Sequence, residues 1–254
     1  MKGQIFNYEP HLTSLDKKAA QKSLLAGIAN PSFINNFESY VSSFLDRPVI
    51  SCNSGTSALH LSLLAMEIQP GDEIICPSTT FAASWNVIKY LNACPVFVDI
   101  DKHTWCIDTN AIEQKITKKT KAIISVDLHG NPCDYKSLHK ICNKYNINLI
   151  SDAAGAVGAY YNGNPLGCLA DITCMSMNLN KIITSNGGGI ISLGENFKYK
   201  EEKIRQLLNQ SFISSKKEGY DYSDVGFNYR FNAVSAGIAM SQFERLPDIL
   251  QKKK

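Results

Sequence analysis

Seven short runs rich in valine and isoleucine recur along this chain of 254 residues, and stretches with helical spacing separate most of them. Nearly every position in the runs is apolar, which indicates strands buried on both faces of a sheet. Such strands alternating with helices are typical of α/β proteins. We therefore predict a three-layer α/β/α fold with a mostly parallel seven-stranded sheet. The predicted strands are PVISCN (48–53), DEIIC (72–76), PVFVDI (95–100), KAIISVD (121–127), INLISD (147–152), DITCMSM (171–177) and GGIISL (188–193).

The segments between the first five strands predict helices, because their apolar residues recur with helical spacing. Residues 195–222 change character: they are rich in lysine and predict a helix followed by an exposed connection over SFISSKKEGYDYSD. The last stretch, NAVSAGIAMSQFERLPDIL, predicts a helix with a break near Pro247. The four helical segments are SALHLSLLAMEI (57–68), FAASWNVIKYL (81–91), DTNAIEQKI (108–116) and DYKSLHKICNKYN (134–146).

Charge and cysteine content exclude several classes of protein. With 26 basic and 23 acidic residues the net charge is only +3, and the dispersed basic residues leave no footprint for nucleic acid. No apolar run approaches the roughly 20 residues of a membrane span. The start, MKGQIFNYEP, lacks the apolar core of a secretory signal. In a chain of this size without a signal, we expect a cytoplasmic protein whose eight cysteines are reduced thiols. We expect no zinc cluster, because no two cysteines form a CxxC pair.

A turn of small residues follows the first predicted strand. Ligands of an open parallel sheet bind at the carboxyl ends of its strands, so this turn is a candidate site. Ser54, Gly55, Thr56 and Ser57 lead directly into the helix at Ala58. Unpaired N–H groups, hydroxyls and the positive end of the helix dipole would together bind an anion such as a phosphate. The alternative is that the serine and threonine only cap the helix.

Two charged residues follow other predicted strands. Asp152 ends the fifth strand and precedes Ala153, Ala154 and Gly155, so a flat ligand with a positive charge could approach it closely. The alternative is a helix cap or a structural ion pair. Lys181 lies in the uncharged stretch CMSMNLNKIITSNGGG. Burial there would lower its pKa and leave an amine able to attack a carbonyl, whereas the alternative is a surface lysine.

These three features together describe one ligand. The turn at residues 54–57, which we call the anion cradle, would bind the phosphate of pyridoxal 5′-phosphate (PLP). The Asp152 carboxylate and the Lys181 amine, at neighbouring strand ends, match its ring nitrogen and its aldehyde. The sequence therefore predicts PLP as the cofactor.

Seven sequence blocks, in order, resemble the DegT/DnrJ/EryC1/StrS family of sugar aminotransferases, which has the aspartate-aminotransferase fold. The resemblance extends from roughly residue 25 to residue 254 and is far more specific than any single motif. The blocks are SGTSALHL, GDEIICPSTTFAAS, PVFVDID, TKAIISV, SDAAGAVGA, SMNLNKIITSNGGG and GFNYRFNAVSAGIAMSQFERL.

The resemblance implies roles for individual residues. Lys181 matches the lysine that binds the cofactor covalently and later moves the proton. Asp152 matches the carboxylate that pairs with the pyridine nitrogen. Ser176, with Thr56 and Ser57, matches the contacts to the phosphate.

One aromatic residue and one amide residue complete the set that the resemblance implies. Phe81 occupies the position whose ring stacks on the cofactor, although a core phenylalanine is the alternative. Asn228, in GFNYR, matches an asparagine that reaches the phosphate of the neighbouring subunit. This last match implies a homodimer with shared sites.

The resemblance also implies the reaction. L-glutamate would be the amino donor and a nucleotide-linked keto sugar the acceptor, and the products would be 2-oxoglutarate and an amino sugar for surface polysaccharide or glycan biosynthesis. NLNKIITSNGGG and SCNSGTSALH are most similar to members that act on 4-keto-6-deoxy sugars, including those on routes to legionaminic acid and perosamine.

The chain departs from the family pattern at several positions. Gly155 replaces the glutamine, glutamate or histidine that contacts the ring hydroxyl of the cofactor. Asp127 stands where many members have histidine, and His129 follows two residues later, so the acceptor side is expected to differ. Lys181 is retained, and transamination is therefore favoured over the dehydratase branch of the family.

Length is the largest departure. We expect an N-terminal segment (1–30), a PLP-binding large domain (31–240) and, from 241 to 254, the start of a connection to a C-terminal small domain that the chain lacks. A silent remnant or scaffold that keeps the family core is therefore a second interpretation. A dinucleotide-binding dehydrogenase is a third, but no GxGxxG motif opens a helix after a strand.

Overall fold

The main sheet of the protein contains all seven predicted strands. The computed structural model describes residues 10–27, 30–216 and 219–253. The strand order is β1-β9-β8-β5-β4-β2-β3, and β9 alone runs antiparallel to its neighbours. The prediction of a mostly parallel seven-stranded sheet is therefore confirmed. The strands are β1 (Val49–Cys52), β2 (Glu73–Pro77), β3 (Cys94–Val98), β4 (Thr120–Val126), β5 (Asn148–Asp152), β8 (Ile172–Ser176) and β9 (Gly189–Leu193), with a small hairpin of β6 (Tyr160–Tyr161) and β7 (Asn164–Pro165).

Helices cover both faces of this sheet, because alternate strand residues point to opposite sides. One buried cluster contains Ile75, Ile123 and Leu149 of the strands, and the other contains Ile74 and Ile150. Helices α2, α5 and α7 pack in the first cluster, and α3, α4 and α6 pack in the second. The three-layer prediction is confirmed. The helices are α1 (Ser14–Leu25), α2 (Ser32–Leu45), α3 (Gly55–Ala65), α4 (Ala83–Tyr90), α5 (Tyr135–Tyr145), α6 (Glu201–Leu208), α7 (Ala233–Phe243) and α8 (Leu246–Lys253).

The helix predicted over 108–116 is wrong. Two short 3-10 turns, Thr109–Ala111 and Glu113–Lys115, occupy this segment. The Asp108 side chain accepts from the Asn110 N–H at 3.0 Å, and Ile116 is already extended. The backbone closes i→i+3 hydrogen bonds instead of α-helical ones: the Ala111 N–H donates to the Asp108 carbonyl at 3.0 Å, and the Lys115 N–H donates to the Ile112 carbonyl at 2.9 Å.

The exposed connection predicted after the helix near 201–208 is partly wrong. Strands β10 (Phe212–Lys216) and β11 (Gly219–Tyr222) form an antiparallel hairpin there. The Phe212 ring lies 6.2 Å from that of Tyr220 and 6.1 Å from that of Tyr222, so aromatic contacts hold the two strands together. Residues 217 and 218 of the predicted connection lie outside the described residues.

Helix α1, which lies within the predicted N-terminal segment, packs against α7. Thr13 and Asp16 form a capping box at the start of α1. The buried Asp16 carboxylate also accepts from Arg245 at 2.6 Å and from Ser241 at 2.9 Å. Residues 1–9 and 28–29 of the predicted segment 1–30 lie outside the described residues, and the division into domains stays a prediction.

Two further predictions concern the end of the chain and the cysteines. The helical stretch is interrupted between α7 and α8, and Pro247 lies in the first turn of α8. The predicted break near Pro247 is therefore present. All eight cysteines are free, and six of them are buried. No helix in the described ranges has both the length and the apolar character that a membrane crossing requires.

Candidate active site

A cavity of about 1270 Å³ opens at the carboxyl ends of the parallel strands. It is lined by five of the seven residues to which the family resemblance assigned roles. The other two, Ser57 and Asn228, are not part of its lining. The five are Thr56, Phe81, Asp152, Ser176 and Lys181.

The first turn of α3 forms one end of the cavity. Ser54 is extended at the N-cap, and its hydroxyl accepts from the Ser57 N–H at 3.1 Å. The Ser57 hydroxyl donates to Asn53 Oδ1 at 2.6 Å, so it is used within the cap. Thr56 faces the cavity instead. The remaining N–H groups of this turn have no carbonyl within the helix to donate to, as is general at helix starts.

Gly55 allows this helix start to approach the end of β8 closely. A Cβ at position 55 would lie 2.9 Å from Ser176 Cβ and 3.2 Å from Ser176 Oγ. The glycine therefore brings the helix dipole and the Ser176 hydroxyl to the same small volume. This arrangement suits an anion.

Asp152 ends β5 at the floor of the cavity and is only 5% exposed. Its Oδ2 accepts from the Ser84 hydroxyl at 2.6 Å, and its Oδ1 accepts from the Ala154 N–H at 3.1 Å. Burial raises the pKa of this carboxyl, and the two hydrogen bonds together with the Lys181 charge oppose the effect more weakly. A carboxylate in this state binds a cationic or proton-bearing ligand group favourably.

Lys181 lies in the loop between β8 and β9 and is partly buried. Its backbone N–H donates to the Asn178 carbonyl at 3.0 Å, which closes a turn. Burial lowers the pKa of the Lys181 amine, and the Asp152 charge partly offsets this. At neutral pH a larger fraction of this amine is therefore neutral than for an ordinary lysine, and a neutral amine is a nucleophile.

Phe81 follows β2 and exposes 76% of its surface beside the cavity. Because this ring borders the cavity and is exposed, it is free to stack on a flat ligand. Its exposure excludes the alternative interpretation of a core phenylalanine.

Asn228 lies near the helix start but outside the cavity of its own chain. It is exposed, and its carbonyl accepts from the Asn53 side chain at 3.3 Å. It also pairs with Asn209 in an isolated bridge. A contact from Asn228 to the phosphate of a second subunit stays a prediction.

Sequence reasoning missed the groups that orient Asp152. Thr80 and Ser84 hydroxyls lie 2.8 Å apart, and Ser84 donates to the carboxylate. The block GDEIICPSTTFAAS contains both residues, but no local pattern connects them with an aspartate 68 positions after Ser84. Sequence reasoning also missed His11 and Lys252, which line the cavity with Nε2 and Nζ 3.0 Å apart.

Asp127, after β4, and Gly155, after β5, both depart from the family pattern, but their surroundings differ. Asp127 is 1% exposed and accepts from Tyr135 at 2.7 Å, from Ser151 at 2.9 Å and from the Cys133 N–H at 3.0 Å. Burial raises the pKa of its carboxyl. Gly155, by contrast, faces the cavity without any side chain.

Comparison with known proteins gives a family match over most of the chain. The model of the DegT/DnrJ/EryC1/StrS aminotransferase family matches residues 12–254. GDP-perosamine synthase of Escherichia coli O157:H7 is 34% identical over 255 residues, which cover 97% of this chain and 68% of that protein. GDP-perosamine synthase of Caulobacter vibrioides is 40% identical over 223 residues, covering 87% and 59%. The chain thus spans about two thirds or less of the length of these relatives.

Solved structures agree with the sequence relatives. Spr1654 of Streptococcus pneumoniae, in its PLP form, superimposes with a TM-score of 0.91 at 30% sequence identity. The match covers 98% of this chain and 69% of that one.

Proposed function

This chain belongs to the DegT/DnrJ/EryC1/StrS aminotransferase family, and we propose that it moves an amino group from L-glutamate to a nucleotide-linked 4-keto-6-deoxy sugar. The cofactor is PLP. Two relatives named GDP-perosamine synthase support a nucleotide sugar as the acceptor. The donor, the keto carbon and the nucleotide are parts of the proposal.

The residues in the cavity fit this cofactor. A Cβ at position 55 would lie 2.9 Å from Ser176 Cβ, so the glycine lets the N–H groups at the start of α3 and the Ser176 hydroxyl approach the same anionic group. The set of an anion cradle, a buried carboxylate and a partly buried amine also matches the three polar ends of PLP. When bound, PLP withdraws electrons from the carbon that carries the migrating amino group. We propose that Thr56 and Ser176 hold its phosphate, and that the Phe81 ring packs against its ring.

Asp152 and Lys181 would divide the proton chemistry between them. The Asp152 carboxylate, oriented by Ser84 and the Ala154 N–H, would keep a proton on the ring nitrogen. The Lys181 amine would bind the cofactor and then carry a proton between the substrate carbon and the cofactor carbon. A positioned proton transfer of this kind contributes roughly 10²- to 10⁴-fold in rate.

We also propose a cytoplasmic homodimer that contributes to surface polysaccharide or glycan biosynthesis. Asn228 is exposed and lies outside its own cavity, which is consistent with a contact to the phosphate in a second subunit. The eight unpaired cysteines support a reducing compartment, where thiols persist.

The observation that carries the proposal is that Lys181 and Asp152 line one cavity together with the start of α3. The test is to mix the purified chain with PLP and L-glutamate and to quantify the products. We expect 2-oxoglutarate and pyridoxamine phosphate in equal amounts. Absence of both products would favour the silent remnant or scaffold over the enzyme.

Gly55→Ala is expected to weaken PLP binding and to lower stability by about 1–3 kcal/mol, as overpacking generally does. The added methyl group would lie 2.9 Å from Ser176 Cβ and push the helix start away from β8. Thermal unfolding with and without PLP measures both effects. Gly155→Ala is the matched control for stability, because its Cβ would have no described neighbour closer than 3.9 Å. Equal stability of the two variants would contradict the close approach.

A further inference from the structure

Asn53 is the last residue before the anion cradle, and it joins the cradle to a distant part of the chain. Its backbone N–H donates to the Tyr229 carbonyl at 2.8 Å, and its Nδ2 donates to the Asn228 carbonyl at 3.3 Å. Its Oδ1 accepts from the Ser57 hydroxyl at 2.6 Å. The Asn53 side chain, at the wall of the cavity, is therefore hydrogen-bonded at both ends of its amide.

The segment that holds Asn53 is itself anchored to two helices. The Tyr229 N–H donates to the Leu208 carbonyl at the end of α6, at 2.9 Å. The Tyr229 hydroxyl lies 3.2 Å from Nδ1 of His60, a buried residue of α3. The Phe227 and Tyr229 rings stack with their centroids 5.0 Å apart. Asn53 is thus bonded to a segment whose position the fold determines.

The partners of Asn53 determine which groups in the cradle donate. A backbone carbonyl can only accept, so the Asn228 carbonyl requires Nδ2 on its side and Oδ1 on the side of Ser57. Oδ1 can also only accept, so Ser57 donates its single hydroxyl hydrogen to it. The Ser54 hydroxyl, 2.9 Å from that of Ser57, then donates to Ser57 Oγ and accepts from the Ser57 N–H. Both serines have therefore used their hydroxyl hydrogens within the protein.

Other donors beside this turn remain for an anion. Thr56 lines the cavity, and Ser176 Oγ accepts from the Asn178 N–H at 3.3 Å, which leaves the Ser176 hydrogen available. The first N–H groups of α3 precede any carbonyl that the helix could offer them. Their directions depend on the orientation of the first turn, and the hydrogen bond from Ser57 to Asn53 holds this turn.

We propose that Asn53 is a positioning residue for the phosphate of the cofactor, acting through Ser57, and that the Ser57 hydroxyl does not itself donate to the phosphate. The proposal rests on the proposed function, because it takes the phosphate to lie between α3 and Ser176. Without the Asn53 amide, the Ser57 hydroxyl would lose its acceptor, and the start of α3 would lose its connection to Asn228. The N–H groups that face the phosphate would then be less well aligned, so phosphate affinity would fall.

The test compares PLP with pyridoxal, which lacks the phosphate, and measures both dissociation constants by equilibrium dialysis of the purified chain. We expect Asn53→Ala and Ser57→Ala each to weaken PLP binding about tenfold, the effect of one lost hydrogen bond. Pyridoxal binding should change less than twofold in both variants. The double variant should also lose only about tenfold, because the two residues act through the same hydrogen bond.

Asn131→Ala is the matched control. The Asn131 amide is also exposed and also donates to a carbonyl of a distant segment, that of Thr104, at 2.8 Å. Asn131 is not among the described residues that line the cavity. This variant should bind PLP and pyridoxal like the wild-type chain.

The ratio of the two dissociation constants separates positioning from a structural role. A variant that only weakened the fold would bind PLP and pyridoxal equally less well, and this result would overturn the inference. Unchanged PLP binding in Asn53→Ala would overturn it too. Losses that multiply to about a hundredfold in the double variant would overturn it in favour of two independent contacts with the phosphate.

The wild-type chain tests the proposed function separately. If it bound PLP no more tightly than pyridoxal, the phosphate would not lie beside Ser176, and both proposals would be overturned. The expected affinities without formation of pyridoxamine phosphate from L-glutamate would support the role of Asn53 and contradict only the amino transfer.

Discussion

Lys181→Ala is expected to abolish amino transfer, with a fall of at least about 10⁴-fold, and to remove the long-wavelength absorbance band of the bound cofactor. Among the described residues that line the cavity, this amine is the one nucleophile whose pKa is lowered by burial, and the Asp152 charge acts on it. Alanine can neither bind the cofactor covalently nor carry a proton at that position.

Absorbance spectroscopy of the PLP-treated chain provides the measurement, and product analysis with L-glutamate provides the rate. Lys200→Ala is the matched control. The Lys200 side chain is 14% exposed and pairs with Glu67, so it is also a largely buried lysine, but it does not line the cavity. The control should keep the band and the activity. If Lys181→Ala kept the wild-type spectrum, PLP would be attached elsewhere and the assignment of Lys181 would be wrong.

The strands could be predicted from the sequence because burial on both faces removes almost every polar residue from a strand. This signal is local, and it correctly identified the strand ends that border the cavity. The same reasoning failed for residues 108–116. Apolar spacing alone does not distinguish an α-helix from two 3-10 turns, the first of which is capped here by Asp108. Helix α1 gave no prediction because it exposes Leu24 and Leu25, and the Asp16–Arg245 pair that holds it joins residues 229 positions apart.

The candidate site shows the same division between local and distant signals. Lys181 and Asp152 stand out from their immediate neighbours, and the resemblance assigns each a role. The hydrogen bond from Ser84 to Asp152 depends on how α4 crosses the sheet edge, so only the fold reveals it. The left-handed backbone of His129, at the wall of the cavity, is likewise invisible in the sequence.

Asp152→Asn is expected to slow amino transfer by about 10- to 10³-fold. An opposite charge within a few ångströms raises the pKa of a cationic group by about one to three units, and each unit corresponds to a factor of ten. Asparagine removes this charge and would leave the ring nitrogen of the cofactor without a proton. Stopped-flow absorbance with L-glutamate measures the loss. Ser84→Ala keeps the charge and removes only the orienting hydrogen bond of 2.6 Å, so its loss should be smaller.

The same substitution should stabilise the protein without cofactor. Burial raises the folded-state pKa of Asp152 above its ordinary value of 3.8. Between these two pKa values the folded state holds a proton that the unfolded state has lost, so stability falls as the pH rises through this window. Asparagine cannot ionise and escapes this loss. The Ser84 hydroxyl can accept from the asparagine amide, because it can donate to Thr80 instead.

Thermal unfolding of the cofactor-free chain therefore provides a second, independent measurement of Asp152. Asp152→Asn should unfold at a higher temperature than wild type at pH 8, and the difference should shrink as the pH falls towards the raised pKa. If the carboxylate served only the fold, its replacement would destabilise the protein, and any loss of activity would accompany that loss of stability. A higher unfolding temperature together with a lower rate of amino transfer in Asp152→Asn would show that the charge serves the ligand and destabilises the fold. A destabilised Asp152→Asn with normal turnover would instead assign the carboxylate a structural role.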